Sequence, residues 1–399
     1  MDSNLRQYLV ITGGYWAFTL TDGAIRMLVV LYFHLLGYSP FEVAMLFLFY
    51  EFFGVVTNLI GGWLGARIGL NYTMNIGMLM QVGALAMLTV PDQWLSVAYV
   101  MLAQALSGIA KDLNKMSAKS SVKLLVPGMD AESRLFRWVA MLTGSKNALK
   151  GAGFFLGALL LDTLGFRDAL FVLAASLFVA FVCTLMLLPA ELGKASSKPK
   201  FTHMFSKSPH VNWLSAARFF LFGSRDVWFV VALPVFLYEA LDWSLTLIGT
   251  FMACWVIGYG VVQASAPTLL SRGRTGAPGV GSVFGWAVLL AIIPAIIALA
   301  MPIDVQLVLI SGLLIFGIVF AINSAMHSYL IVSWSDHERV SMNVGFYYMA
   351  NAGGRLTGTV LSGWMYQQYG LTGCLWTSSL LLVCAAITSS RLRSHSIHT

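Results

Sequence analysis

The sequence predicts an all-α integral membrane protein, with about twelve transmembrane helices in two pseudo-symmetric six-helix bundles. The first observation is composition: of 399 residues, 58% are hydrophobic and only 10% are charged, and the mean hydropathy is +0.78. The second is that about twelve apolar stretches approach the roughly 20 residues that a helix needs to cross the hydrocarbon core. The third is an internal repeat that relates the two halves of the chain.

The predicted spans, in chain order, are residues 8–35, 40–64, 72–90, 94–118, 138–163, 169–189, 211–238, 245–270, 277–300, 305–333, 341–366 and 371–390. The first is too long for the core of a signal peptide and lacks a small-x-small cleavage site, so we expect it to be retained. Six spans lie on each side of the longest gap, which carries four lysines and no apolar periodicity. We therefore predict an N-terminal bundle over 1–189, a cytosolic basic linker over 190–210 and a C-terminal bundle over 211–399.

The orientation of the spans follows from the lysines and arginines outside them. If both termini share a side with the linker, fifteen of these residues lie on that side and one, Arg167, lies opposite. The positive-inside rule then places the linker and both termini in the cytosol. The net charge of +7 is largely this bias, so it does not indicate a nucleic-acid partner. The fifteen are Arg6, Arg67, Lys119, Lys123, Arg134, Arg137, Lys194, Lys198, Lys200, Lys207, Arg272, Arg274, Arg339, Arg391 and Arg393.

The two halves resemble each other at a constant offset of 205 residues. The segment LGYS at 36–39 aligns with LDWS at 241–244, and the same offset pairs Arg67 with Arg272, Gly165 with Gly370 and Lys150 with Arg355. One offset at separate places indicates a duplicated six-helix unit, which is how many transporters are built. We expect two bundles that face each other across a central site.

A glycine-rich segment follows the second span and reads GWLGARIG at 62–69. With two halves of six spans and a basic linker, it resembles the major facilitator superfamily, whose loop signature is G-x-L-x-D-R-x-G-R-K. Ala66 stands where the family has aspartate, and Leu70 and Asn71 stand where it has a basic pair. The glycine turn and Arg67 are kept, whereas the residues of the usual cytosolic charge latch are not.

Three segments resemble the ArsJ type of organoarsenical efflux permease: YWAFTLTDGAIRMLVVLYFHLLGYSPFEVA, ALSGIAKDLNKMSAKS and LTGSKNALKGAGFFLG. The resemblance implies a secondary transporter of the bacterial inner membrane that exports 1-arseno-3-phosphoglycerate and confers arsenate resistance. It also implies a functional link to the glyceraldehyde-3-phosphate dehydrogenase that makes this cargo. Proton antiport is the coupling that we predict.

Independently of any family, the charges at least three residues from the ends of the predicted spans are unbalanced, with eight basic residues against four acidic ones. A buried charge must be paired, neutralised or matched by a ligand, so the excess predicts an anionic small-molecule cargo. Lys111 and Arg218 lie nearer the cytosolic ends, and we expect their side chains to reach toward water. The basic residues are Arg26, Lys111, Lys115, Lys146, Lys150, Arg218, Arg225 and Arg355, and the acidic ones are Asp22, Glu51, Asp112 and Asp226.

The lysines between residues 103 and 157 recur every four residues in two sets, so each set lies on one face of a helix. The sets are Lys111, Lys115, Lys119 and Lys123, and Lys146 with Lys150. Lys119 and Lys123 are expected at the cytosolic exit. Arginine grips oxyanions in a fork and lysine supplies a point charge, so a mixed set suits a cargo with an oxyanion head and a carboxylate. We assign substrate binding to Arg26, Lys115, Lys146, Lys150, Arg225 and Arg355.

Asp22 and Glu51 are the candidate proton-coupling residues. Asp22 lies one turn before Arg26, so the two could form an intrahelical ion pair that merely permits insertion. Alternatively, Asp22 holds Arg26 in the empty site and yields when an anion or a proton arrives. Glu51 has no basic residue three or four positions away, and both a proton carrier and a hydrogen-bonded structural glutamate fit it.

The cysteines and histidines of the sequence form no pattern typical of a catalytic or metal site, so we predict no cofactor and no enzyme activity. Cys183, Cys254, Cys374 and Cys384 are scattered singly, and the seven histidines form no ligand pattern. Two other functions stay open. One is an organophosphate/phosphate exchanger for uptake, since that cargo is also a polyanion. The other is a membrane enzyme or lipid-handling protein, which the lack of a nucleophile, nucleotide loop or metal set disfavours.

Overall fold

The protein is helical throughout the residues that the structure, a computed structural model, describes: 3–124, 131–188, 208–271, 280–334 and 340–392. Within these ranges no strand occurs. The helices are α1 Ser3–Leu35, α2 Pro40–Met45, α3 Leu48–Ile68, α4 Leu70–Met87, α5 Val97–Leu124, α6 Ala131–Leu164, α7 Phe166–Leu187, α8 Pro209–Phe229, α9 Ala232–Glu239, α10 Leu245–Ser271, α11 Val280–Ala300, α12 Val305–Ser333 and α13 Val340–Ser390, with a short 3₁₀ turn at Asp92–Trp94.

Each predicted span is helical over most of its described residues, so the predicted all-α membrane fold is confirmed. By length and composition, eight helices of the described chain are apolar enough to cross a membrane. The last two predicted spans form α13, which is broken at Gly370, where φ is 64° and ψ is −165°. The predicted linker falls on 190–207, which lies outside the described residues, and on the start of α8 at Pro209. The side chains of Arg67, Lys119 and Lys123 also lie outside the described part of the chain.

The seventh predicted span, 211–238, is split into α8 and α9. Pro234 has no N–H to donate to the carbonyl group four residues earlier, which favours a break in the preceding turn. The hydroxyl oxygen of Ser362 accepts hydrogen bonds from the backbone N–H groups of Val231 and Ala232, at 3.3 and 3.1 Å. Ser362 thereby satisfies donors that a new helix start leaves without intrahelical partners.

The 205-residue repeat is visible in the backbone. Gly37 and its counterpart Asp242 both have positive φ, 87° and 50°, and so do Gly165 and Gly370, 80° and 64°. Asp242 is the one residue other than glycine with positive φ in the described chain, and aspartate tolerates this region better than most residues do. These turns support duplication of a six-helix unit.

The chain forms two compact units, and each includes a short segment from the other half of the sequence. Unit 1 comprises Met1–Gly37, Leu46–Phe201 and Trp243–Ile257, and unit 2 comprises Tyr38–Met45, Thr202–Asp242 and Gly258–Thr399. In unit 1, the Thr246 hydroxyl donates to the carboxylate of Asp162 at 2.8 Å. In unit 2, the backbone N–H of Phe41 donates to the side-chain oxygen of Gln367 at 3.3 Å.

Glycines bring the functional helices of each unit into close contact. In unit 1, a Cβ atom at Gly23 of α1 would lie 2.7 Å from the carbonyl oxygen of Lys150 in α6. In unit 2, a Cβ atom at Gly358 of α13 would lie 2.6 Å from the carbonyl oxygen of Gly223 in α8. Small residues permit such backbone approach between membrane helices, and here they set Lys150 against α1 and place α13 against α8.

Candidate functional site

The best-enclosed ion pair of unit 1 joins α1 to α3. Arg26 Nη2 donates to Glu51 Oε1 at 2.7 Å, and the side chains are 5% and 0% exposed. The guanidinium also lies over the rings of Phe47 and Tyr50, at 5.2 and 5.0 Å from their centroids. Removing one partner of a buried pair typically costs about 3–5 kcal/mol because the other charge is left uncompensated. Glu51 and Arg26 are therefore mutually dependent.

Asp22 accepts a hydrogen bond from a residue on another helix. Its Oδ1 atom receives the Tyr50 hydroxyl at 2.6 Å, while the partner of Arg26 is Glu51. Two contacts between α1 and α3 thus involve the two residues whose spacing suggested an intrahelical pair. Tyr50 and Glu51 are consecutive, so this one turn of α3 engages both charged groups of α1.

Asp112 is another buried acid of unit 1. It contacts Lys111 and Lys115, two lysines of the first predicted set. Lys115 Nζ lies 2.7 Å from Asp112 Oδ1 and donates to Asn58 Oδ1 at 2.6 Å. Lys111 Nζ lies 3.9 Å from Asp112 Oδ2 and 4.0 Å from the centroid of the Tyr50 ring. Lys111 thus lies inside the unit, contrary to the expectation that it extends toward the cytosolic surface.

Lys146 and Lys150 are half-buried on α6, at the level where that helix meets α1. Lys150 Nζ lies 5.7 Å from the centroid of the Phe154 ring. One residue before Lys146, the Ser145 hydroxyl accepts a hydrogen bond from Trp16 Nε1 at 2.8 Å. The contact between Gly23 and the Lys150 backbone places this lysine on α6 beside the helical turn that carries Asp22 and Arg26.

Asp226 is the corresponding acid of unit 2, and it contacts two arginines. Its Oδ2 atom accepts a hydrogen bond from Arg355 Nε at 3.1 Å, and its Oδ1 atom accepts from Arg225 Nε at 2.7 Å. Arg225 Nη2 also donates to Oδ1. The carboxylate is 0% exposed, whereas the two arginine side chains are 14–15% exposed. Two predicted substrate residues are thereby brought together on an acid that the sequence reasoning did not assign to the site.

Arg218 is buried, with 4% of its surface exposed, so the expectation that it reaches toward water is wrong. Its Nε donates to Asn351 Oδ1 at 2.9 Å, and its Nη1 donates to the carbonyl and hydroxyl oxygens of Ser324 at 3.2 and 2.9 Å. The guanidinium also lies over the rings of Phe222 and Tyr347. The sequence placed Arg218 among the intramembrane charges but gave no sign of these partners, which come from α12 and α13.

In both units the acids are more deeply enclosed than the bases they hold. Glu51, Asp112 and Asp226 have side chains that are at most 1% exposed, whereas Lys115 and Arg355 retain 13% and 14%. The partly exposed charge is therefore positive, and oxyanions bind well to such donors. An anionic ligand could therefore contact the exposed part of these bases while the buried carboxylates stay in place.

The described residues contain no group of three His, Cys, Asp or Glu side chains that could hold a metal ion. All four cysteines are free thiols: Cys183 and Cys254 are exposed, Cys374 is buried and Cys384 is intermediate. Soft metals and trivalent arsenic favour clustered thiols. The four separate cysteines therefore do not provide a binding site of that kind.

The sequence profile described as Major Facilitator Superfamily matches residues 11–328 and 214–396. Among solved structures, the chain is similar to a POT family transporter in complex with 5-aminolevulinic acid, at 13% identity and a TM-score of 0.76, covering 96% of this chain and 95% of that one. It is also similar to a variant of the nucleoside transporter NupG, at 14% identity and a TM-score of 0.74, covering 98% and 99%. No curated protein matches the chain. At these identities the structural likeness establishes the fold.

Proposed function

Because the chain belongs to the Major Facilitator Superfamily and is a multi-pass membrane transporter, we propose that it exports an organic oxyanion in exchange for protons. The proposed cargo is the pentavalent organoarsenical 1-arseno-3-phosphoglycerate, supplied by a glyceraldehyde-3-phosphate dehydrogenase. The proposed location is the bacterial inner membrane with both termini cytosolic, as the charge bias outside the spans predicts. The family assignment sets aside the interpretation as a membrane enzyme.

The observation that carries the proposal is the placement of charge. The buried carboxylates of Glu51, Asp112 and Asp226 hold bases whose side chains keep the remaining exposure. An arriving oxyanion can accept hydrogen bonds from these bases without meeting an exposed carboxylate. A cationic or neutral cargo would not need this arrangement, and it would meet electrostatic repulsion or desolvation of unmatched charges.

Proton exchange is proposed to act through Glu51 and Asp22. Protonation of Glu51 would remove the charge that holds Arg26 at 2.7 Å, and an anionic cargo would compete with the carboxylate for the same guanidinium. Asp22, bonded to the Tyr50 hydroxyl, lies one turn before Arg26 and would respond to the same event. Cargo and proton then stabilise alternative states of one ion pair, which is the differential binding that coupling requires.

The form of arsenic follows from the chemistry of the donors. Trivalent arsenic is thiophilic, whereas the described site offers guanidinium, ammonium and amide groups. A pentavalent arsenate ester presents hard, negatively charged oxygens, which Arg26, Lys150 and Arg355 are suited to bind. The proposed cargo is therefore the ester and not arsenite.

Growth of an arsenate-sensitive bacterium tests the proposal. Cells that express the protein together with the dehydrogenase should gain resistance to arsenate and not to arsenite, and cells without the dehydrogenase should gain neither. A variant in which Cys183, Cys254, Cys374 and Cys384 are replaced by serine should keep nearly full arsenate resistance. Protection against arsenite, or loss of arsenate resistance in a well-expressed cysteine-free variant, contradicts the oxyanion interpretation.

A further inference from the structure

The two most deeply buried arginines of the described chain differ in what surrounds them. Both are 4% exposed. Arg26 contacts the carboxylate of Glu51, whereas the hydrogen bonds of Arg218 go to the neutral oxygens of Asn351 and Ser324. Within the described part of unit 2 no carboxylate contacts Arg218. Its positive charge is therefore enclosed without a counter-charge among the described residues.

Neutral partners offset only part of the cost of enclosing a guanidinium. The rings of Phe222 and Tyr347 lie 4.0 and 5.2 Å from its central carbon and contribute a cation–π attraction. The recorded hydrogen bonds use Nε and Nη1, so among the described residues Nη2 has no acceptor. An oxyanion at Nη2 would supply both the missing acceptor and the missing negative charge.

A second buried group beside Arg218 also has unused hydrogen-bonding capacity. His327 follows Ser324 by three residues on α12 and interacts electrostatically with Arg218. It is 1% exposed, and within the described chain its Nδ1 atom has no hydrogen-bond partner. Buried polar atoms in native proteins are nearly always paired, so an unpaired one indicates a ligand or an ordered water.

Arg218 and Arg225 lie on one face of α8 and extend along it. They are seven residues apart, which places them on the same helix face about 10 Å apart along the axis. Their guanidinium carbons lie 4.0 and 4.9 Å from the centroid of the same Phe222 ring. On α13, Asn351 contacts Arg218 and Arg355 shares Asp226 with Arg225. Two basic positions thus flank one aromatic ring.

We propose that unit 2 holds a two-headed cargo, with one oxyanion group at Arg218 and the other at the Arg225–Arg355 pair. Asn351 and Ser324 orient the Arg218 guanidinium, and Phe222 packs against the carbon chain between the two heads. The inference rests on the proposed function and adds to it the place where each of two separate oxyanion groups of a short organic molecule binds. A molecule with a single oxyanion would occupy only one of the two positions.

Binding of two stable probes to the purified full-length protein tests this arrangement by calorimetry. 3-Phosphoglycerate carries a phosphate and a carboxylate, whereas glycerol 3-phosphate carries the phosphate only. We expect the wild-type protein to bind 3-phosphoglycerate more tightly. Arg218→Gln should weaken 3-phosphoglycerate binding by about 10- to 100-fold, the loss of one charge-assisted contact, and should change glycerol 3-phosphate binding by less than about twofold.

Two further variants separate ligand binding from folding. Asn351→Asp gives Arg218 a carboxylate partner, so the buried charge is compensated while the second head loses its position, and we expect the same selective loss. Arg391→Gln removes an equal charge at an exposed residue of unit 2, and it should leave both affinities unchanged. Equal binding of the two probes by the wild type, no binding of either, or an equal loss for both in Asn351→Asp overturns the proposal. Because the assay contains no arsenic and no proton gradient, failure of arsenical export would leave its result standing.

Discussion

Glu51 and Asp226 show how single residues divide the work of the two units. Both carboxylates are 0% exposed and each is bonded to arginine, Glu51 to Arg26 and Asp226 to Arg225 and Arg355. Taken by itself, the Arg26–Glu51 pair is electrically neutral, whereas Asp226 with two arginines, like Asp112 with two lysines in unit 1, keeps a net positive charge. A neutral pair can be opened by a proton, and a positive trio attracts an anion without one.

Neutral substitution of the two candidate proton carriers tests the residue-scale account. Glu51→Gln keeps an acceptor oxygen for Arg26 but cannot ionise. Asp22→Asn likewise keeps an acceptor oxygen for the Tyr50 hydroxyl but cannot ionise. In proteoliposomes we expect cargo movement to lose its dependence on the pH gradient in at least one variant, while counterflow exchange of cargo persists. Asp168→Asn, at an exposed aspartate of unit 1, is the matched control. Unchanged proton dependence in both variants would remove these residues from the coupling step.

The identities of the charged residues could be predicted from the sequence, but their partners could not. An acid or base within an apolar span is visible without a structure, and so is the i,i+4 spacing of Asp22 and Arg26. The contact of Arg26 with Glu51, 25 residues away in the chain, depends on where the fold places α3 relative to α1. The enclosure of Arg218 likewise depends on α12 and α13. Spacing in the sequence predicts contacts between residues of the same helix, but it does not predict contacts with a neighbouring helix.

At the scale of helices, close packing rests on glycines at the contacts of α1 with α6 and of α8 with α13. A Cβ atom at Gly157 would clash with the carbonyl oxygen of Ala24, and one at Gly358 would lie 2.6 Å from that of Gly223. The two helix pairs occupy equivalent positions in the 205-residue repeat. The same means of packing therefore places Lys150 in one unit and Arg355 in the other.

Gly157→Ala should destabilise unit 1, because overpacking a close contact costs about 1–3 kcal/mol. Gly13→Ala on α1 is the control, since a Cβ atom there would have nothing within 4 Å, and alanine is the better helix former by up to about 1 kcal/mol. Thermal unfolding in detergent should show a lower midpoint for Gly157→Ala and an equal or higher one for Gly13→Ala. Equal midpoints for Gly157→Ala and the wild type would argue against the close contact of α1 with α6.

The helices themselves were largely predictable, because apolar stretches of the required length mark them directly. The interruptions were less so. The span predicted over 40–64 forms α2 and α3, and the span over 211–238 forms α8 and α9. Pro234 gives a reason for the second break, but its place depends on Ser362 of α13 accepting the freed N–H groups. Gly37 and Asp242 lie in the aligned segments that indicated the repeat, but their positive φ was not predicted and became visible only in the backbone.

On the scale of the whole molecule, the two units carry the same net intramembrane charge but different numbers of acids: five basic and three acidic residues in unit 1, and three basic and one acidic in unit 2. The intramembrane residues of unit 1 include the acids Asp22, Glu51 and Asp112, whereas those of unit 2 include Asp226 and three arginines. We infer that unit 1 supplies most of the ionisable carboxylates for proton exchange and that both units supply unmatched positive charge for the cargo. A duplicated fold has thus acquired different chemistry in its two copies.

Transport into everted membrane vesicles tests the central claim most directly. Dehydrogenase, glyceraldehyde 3-phosphate, NAD and arsenate outside the vesicles generate the ester at their cytosolic face, and arsenic inside is measured. The account predicts accumulation that needs the dehydrogenase and a proton gradient, and that falls by about 10- to 100-fold in Lys150→Ala and Arg355→Ala but not in Arg391→Ala. Undiminished accumulation in both site variants at normal levels of insertion would contradict the assignment of the site. No arsenic accumulation by the wild type, with organophosphate moving in exchange for phosphate instead, would contradict the proposed cargo.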